Sequence, residues 1–175
     1  MKKSHNDYCT ECGAPVVADR RSHHYAESGL SNVILEDVPV ADCANCGNSD
    51  ITVPGLAKLH QAIAQALASS PARLTGEQLR FLRKHLGLTG DELGRYLHTD
   101  RSKISKWETG EHPIGPQTDR LIRLLVAALD PSLRDAVSEI AEHLPAILDK
   151  SGLSYELRVN AHTLRSQFAP ITKAA

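Results

Sequence analysis

Four cysteines occur as two pairs of identical spacing, Cys9-x-x-Cys12 and Cys43-x-x-Cys46, and a glycine, Gly13 or Gly47, follows each pair. Two residues between cysteines let both thiolates face one cation, and the following glycine permits the positive-φ turn that aims backbone N–H groups at sulfur. Two such knuckles complete a shell for one structural Zn2+, with Cys9, Cys12, Cys43 and Cys46 as its ligands. A closed four-thiolate shell leaves no position for water, so hydrolytic chemistry is not expected and the chain reads as a non-enzyme. Disulfides and a redox-active pair are the competing readings. The N-terminal MKKSHNDY lacks the apolar stretch of a signal peptide, which points to the reducing cytoplasm and away from stable disulfides. A thioredoxin-like pair would sit beside a βαβ pattern, and that pattern is not legible. His5, His23 and His24 are alternative ligands that four cysteines make unnecessary. The nine histidines are scattered, and no nucleophile has a matching base.

The second set of chemistry-bearing residues lies between Thr89 and Gly110, TGDELGRYLHTDRSKISKWETG. On a helix of about 100° per residue beginning at Arg101, the side chains of Arg101, Ser102, Ser105 and Lys106 fall within one arc of roughly 140°. Lys103, Ile104, Trp107 and Glu108 take the other side. Two cations and two hydroxyls therefore face outward, all types that hydrogen-bond phosphates or base edges, while Ile104 and Trp107 pack inward. That is the arrangement of a DNA recognition helix. Ser105 and Lys103 are flanking candidates for base or phosphate contact. The backbone N–H groups near Gly90 and Gln117, each at a helix start, are candidate phosphate clamps.

The elements that hold this face are legible from caps and periods. Thr89 with Glu92 forms a capping box opening a helix whose apolar stripe is Leu93, Tyr96 and Leu97, and Asp100 caps the next helix. Only His98 and Thr99 remain as the turn, and His98 is expected at positive φ, at a cost of about 1 kcal/mol. Upstream, Thr75 with Gln78 caps a helix carrying Leu79, Leu82 and Leu86. Gly115-Pro116 introduces one with Leu121, Leu124, Leu125 and Leu129 expected on its buried side.

The run Leu74 to Leu129 resembles the Cro and phage-repressor type of helix-turn-helix, through L-T-x-x-E-L and I-S-K-W-E-x-G. His98 stands where that family often has Gly, and Thr99 where it has a small aliphatic residue. The resemblance aligns Arg101, Ser102 and Lys106 with base-contacting positions.

The whole chain of 175 residues is 41% hydrophobic with a formal net charge of −1, so bulk charge is no basis for nucleic-acid affinity. Residues 71–112 hold eight Lys or Arg against six Asp or Glu, whereas residues 1–55 hold four against eight. Affinity for DNA should then rest on local contacts duplicated in two copies. Short strands at His23–Ala26, Asn32–Leu35 and Val38–Val40 make the N-terminal module a zinc ribbon, with Pro39 restricting one strand to an edge. A module of about fifty residues is too small for an ordinary core, so metal supplies much of its folding energy.

The expected fold is mainly α with a small β-containing zinc ribbon, an N-terminal four-cysteine domain followed by an all-α helix-turn-helix domain. The boundaries read as residues 1–55 for the ribbon, where Pro54-Gly55 breaks the chain, and 56–70 for a partly exposed helical connector. Residues 71–130 form the reader. Residues 131–175 form a C-terminal segment in which Leu133, Ala136, Val137, Ile140, Ala141 and Leu144, then Ile147 and Leu148, cover the bundle or meet a second copy. Tyr155–Val159 reads as a strand before a polar tail. No membrane-spanning segment is legible.

Together, the two C-x-x-C pairs, the domain order and the run from Leu86 to Gly110 resemble the MqsA family of bacterial antitoxins, also described as YgiT-type zinc-finger and helix-turn-helix proteins. The resemblance implies a homodimer that binds a palindromic double-stranded operator and represses its own operon. It also implies that the zinc domain neutralises an mRNA-cleaving toxin. Ser102 stands where an amide is more usual and Lys106 where Arg is, so the operator sequence does not carry over. The alternative is a stand-alone regulator whose ribbon is structural or meets another protein.

Overall fold

A computed structural model describes residues 7–53, 55–147 and 155–170; His5, Pro54 and Leu148 lie outside them. The strands are β1 (Ala18–His24), β2 (Val33–Asp42), β3 (Ser49–Ile51), β4 (Tyr155–Asn160) and β5 (Ser166–Pro170). The helices are α1 (Leu56–Ala68), α2 (Gly76–His85), α3 (Gly90–Leu97), α4 (Arg101–Glu108), α5 (Pro116–Leu129) and α6 (Val137–His143). Among the described residues, six helices beside a small sheet give the mainly α class expected. None of the described helices is long and apolar enough to cross a membrane.

The sheet runs β1-β2-β4-β5, with β3 also on β2. β1 is antiparallel to β2, but β4 lies parallel to it, pairing Val33 with Leu157 and Leu35 with Val159. A parallel pair needs a long crossover, and here the helical bundle supplies it. The C-terminal segment read as a strand and polar tail is therefore a β4–β5 hairpin that completes the ribbon's own sheet. Pro39 lies inside the central strand and not at an edge of the sheet. Its carbonyl accepts Thr52 N–H at 3.0 Å, so its nitrogen faces the same side, in the gap between the β4 pairing at 33–36 and the β3 pairing at 40–42. No ladder donor is needed there.

α1 is no exposed connector. Leu59, Ile63, Ala64 and Leu67 are fully buried, and the helix packs on α2, α5, β4 and β5 within one continuous apolar cluster. Its C-terminal end is fixed by a buried ion pair on α5. The Arg123 Nε donates to Asp119 Oδ2 at 2.6 Å, and its Nη atoms donate to the carbonyls of Leu67, Ala68, Ser70 and Ala72 at 3.2, 3.2, 2.6 and 2.5 Å. Asp119 also accepts from Leu74 N–H at 2.8 Å.

That pair corrects the expected face of α5. Asp119, Ile122, Arg123, Val126 and Ala127 point inward, whereas Leu121, Leu124 and Leu129 are exposed. An apolar count favoured the leucines; the winning face is the one whose charged pair donates to the carbonyls that close α1 and follow it. Leu133, Ala136 and Ile140 are buried against the same bundle, so their faces are covered within the chain.

A second seam joins ribbon to helices. Tyr25 Oη and His60 Nε2 lie 3.0 Å apart, and Glu77 accepts from Ser31 N–H and Oγ at 2.9 and 2.7 Å. Burial, and then the neighbouring His85, hold the His60 pKa below its ordinary 6.5. The unfolded chain thus takes up a proton at higher pH than the folded one, so this stability is complete above pH 6.5 and is lost as pH falls through the folded value. Thermal melts from about pH 7 to pH 5 should show a decline that His60→Gln flattens. An unchanged slope would assign the decline to other groups.

Candidate nucleic-acid interface and metal centre

The reader is built by caps. Thr75 and Thr89 each accept from the backbone N–H three residues on, while Gln78 and Glu92 reach back, so both capping boxes form. Asp100 Oδ1 accepts from Lys103 N–H at 2.8 Å and opens α4. Between α3 and α4, His98 adopts the left-handed conformation, φ 50° and ψ 51°. The turn is close enough that a Cβ on Gly94 would stand 2.6 Å from the Thr99 carbonyl oxygen, so only glycine fits there. Tyr96, expected in the apolar stripe of α3, is half-exposed; Leu93 and Gly94 form the buried side.

On α4, Ile104 and Trp107 are buried and Arg101, Ser102, Lys103 and Ser105 are exposed. Lys103 is not free on that surface, for its Nζ lies 5.4 Å from the Trp107 ring centroid, a cation–π placement. Arg101 Nη1 stands 3.9 Å from Asp91, and Lys106 Nζ stands 3.5 Å from Glu111. Exposed pairs of this kind are worth roughly 0–1 kcal/mol, so either cation can exchange its carboxylate for a phosphate or a base edge. Gly90, Arg101 and Ser105 line one cleft of about 470 Å3 between α2, α3 and α4. Arg101 and Lys103 line a second of about 850 Å3 beside His98. Gln117 is exposed in the first turn of α5 and lines neither.

Sequence reasoning missed what anchors the end of α4. Glu108 is buried, and it accepts from Arg83 Nε and Nη2 at 2.5 and 3.0 Å and from Arg80 Nε at 3.4 Å. A Cβ on Gly76 would stand 2.3 Å from the Trp107 carbonyl oxygen, so α2 begins directly against this end. Arg80 and Arg83, three apart on α2, were the signal that a carboxylate was to be met.

Residues 74–137 match the family described as a helix-turn-helix domain. No curated protein and no solved structure matches the chain. The matched helix-turn-helix domain spans α2 to the start of α6, and it points to a DNA-binding regulator.

The cysteines gather into one cluster. All four Sγ atoms lie within 4.8 Å of one another, with Cys9–Cys46 and Cys12–Cys43 at 3.5 Å. A disulfide needs about 2.05 Å, whereas tetrahedral zinc with bonds of about 2.3 Å places sulfurs about 3.8 Å apart. The residues present therefore fit a four-coordinate thiophilic cation. The two knuckles repeat each other: Cys9 N–H bonds the Ala14 carbonyl and Cys43 N–H the Asn48 carbonyl, both at 2.8 Å, with Gly13 and Gly47 at φ 71° and 74°. Asn45 Nδ2 donates to Cys12 Sγ at 3.5 Å, and this donor with the Ala14 N–H brings the Cys12 thiol down to about 6. Cys46 goes the other way: although the Asn48 N–H favours its thiolate, the Cys12 and Cys9 sulfurs push it up to about 12. Four thiolates together thus require a cation among them. His23 stands apart from this cluster, 3.6 Å from Glu27.

Proposed function

We infer that this protein is a zinc-containing, dimeric transcriptional repressor that binds a palindromic operator, and that it is the antitoxin of a type II toxin–antitoxin pair. The observation carrying the reading is the coexistence, in one chain, of a helix-turn-helix domain with an outward polar face on α4 and a four-cysteine cluster set in an acidic ribbon. Arg101, Ser102 and Lys106 are the base-reading candidates; Ser105, Lys103 and the N–H groups at Gly90 and Gln117 are the phosphate candidates. The metal is Zn2+ on Cys9, Cys12, Cys43 and Cys46.

Dimerisation is supported by the exposed leucines of α5. Leu121, Leu124 and Leu129 lie at helical spacing on a helix whose opposite face is committed to the core. A twofold contact there would repeat the α4 face and supply the second half-site. The acidic ribbon is the surface for the toxin, since its charge disfavours DNA and suits a basic partner.

The double substitution Arg101→Ala with Lys106→Ala should abolish operator binding in a gel-shift assay with the DNA upstream of the gene, while leaving the circular-dichroism melt and the zinc content unchanged. Arg101 is largely exposed and Lys106 partly so, and neither belongs to the buried core, so folding is not at stake. Unaltered binding would overturn the reader assignment. Co-purification with the neighbouring gene product, followed by rescue of growth from its toxicity, tests the antitoxin half. Failure there leaves a stand-alone regulator with a structural ribbon.

A further inference from the structure

The seam between ribbon and reader encloses a cleft of about 330 Å3, walled by the turn at residues 27–29, by His60 of α1 and by the outer side of α2. Its floor is aromatic. Phe81 meets His60 edge-on at 5.5 Å and stacks with His85 at 6.3 Å. Both imidazoles are anchored from behind through Nε2, His60 on Tyr25 and His85 on Asp130 Oδ2 at 2.7 Å, which leaves Nδ1 of each ring as its remaining polar atom.

The mouth carries Glu27, Glu77, Arg80 and Lys84, but its charges are not balanced by one another. Glu77 is taken up by Ser31, and Glu27 stands 3.6 Å from His23. Among the described residues Lys84 has no carboxylate partner. Arg80 reaches only 3.4 Å to Glu108, a carboxylate that Arg83 already grips through two nitrogens. Among the described residues Lys84 therefore stands over the aromatic floor without a carboxylate, and Arg80 beside it holds Glu108 through one long contact.

We propose that this cleft is a binding site for a small, planar organic anion, an aromatic carboxylate of about nine to fifteen non-hydrogen atoms. The ring lies along Phe81 between the two imidazoles, and the carboxylate meets Lys84 and Arg80. Such a ligand touches the ribbon turn, α1 and α2 at once, so it tightens the seam. It also draws on Arg80, which is shared with Glu108 at the end of α4, and so reports its presence to the DNA-reading helix.

Benzoate serves as the probe, with acetate and inorganic phosphate as comparisons, on the full zinc-loaded chain. Titration followed by the imidazole resonances of His60 and His85 should saturate with benzoate and raise the melting temperature. Lys84→Glu, an exposed change that leaves the core untouched, should weaken it about tenfold, or about 1.4 kcal/mol. Acetate should bind at least about tenfold more weakly, because it lacks the ring. The proposal is overturned if benzoate does not saturate, if Lys84→Glu binds as well as the parent, or if acetate or phosphate matches benzoate.

Discussion

Replacing Arg123 with methionine is expected to destabilise the protein by about 3–5 kcal/mol. Both Arg123 and Asp119 are out of reach of water. Loss of the guanidinium leaves a buried carboxylate with Leu74 N–H and no cation, and it strips donors from the carbonyls of Leu67, Ala68, Ser70 and Ala72. Those carbonyls close α1 and begin the connection to α2, so the damage falls where the ribbon-side helix meets the reader. Adding Asp119→Leu should recover only part of the loss, because an apolar pair removes the unpaired charge but does not restore the donors lost to the carbonyls, and it leaves Leu74 N–H without its acceptor. Urea unfolding of the parent, single and double variants reads this directly. A single-variant cost below about 1 kcal/mol would mean that water replaces the guanidinium.

Removal of the metal is the second large effect. Structural zinc contributes roughly 10–16 kcal/mol of apparent binding energy in small peptides, and a metal-dependent ribbon of this size cannot compensate for its loss with its own core. If the ribbon were an independent module, chelation would leave the helical domain unaffected. The β2–β4 pairing, the Tyr25–His60 contact and the continuous apolar cluster argue otherwise. Chelation is therefore expected to lower the melting temperature of the entire chain by roughly 6–12 °C, taking about 3 kcal/mol and roughly 2–4 °C per kcal/mol for a chain this long. The single tryptophan, Trp107, lies in the reader and provides the readout. Its near-ultraviolet signal should melt at the same lowered temperature as the far-ultraviolet signal. A Trp107 transition indifferent to chelation would establish two autonomous halves.

What was legible in the sequence was local. The two capping boxes, the Asp100 cap and the positive φ of His98 depend on residues within four of one another, and all four are present. The cysteine cluster was legible because C-x-x-C is a local geometry used twice, although only the fold brings Cys9 beside Cys46. The misread elements depend on distant partners. Which side of α5 is buried was decided by carbonyls more than fifty positions upstream, a demand that a helical period cannot express. Tyr155–Asn160 was readable as a strand, but its place beside β2 rests on pairing across more than a hundred residues. The exposed candidates Arg101, Ser102 and Ser105 were predictable from helical angle alone, while the carboxylates holding Arg101 and Lys106 in the unbound chain were not.

The parallel pairing of β4 with β2 also sets a timetable for synthesis. Until Tyr155–Asn160 has left the ribosome, the Val33–Glu36 stretch of β2 lacks its neighbour on that side, even if the cysteines have already closed on a metal. A chain halted anywhere in the helical bundle thus presents an open apolar strand edge, the kind of surface that chaperones and proteases engage. Only a chain translated through the β4–β5 hairpin can seal that edge, so the four-cysteine half cannot mature ahead of the helix-turn-helix half.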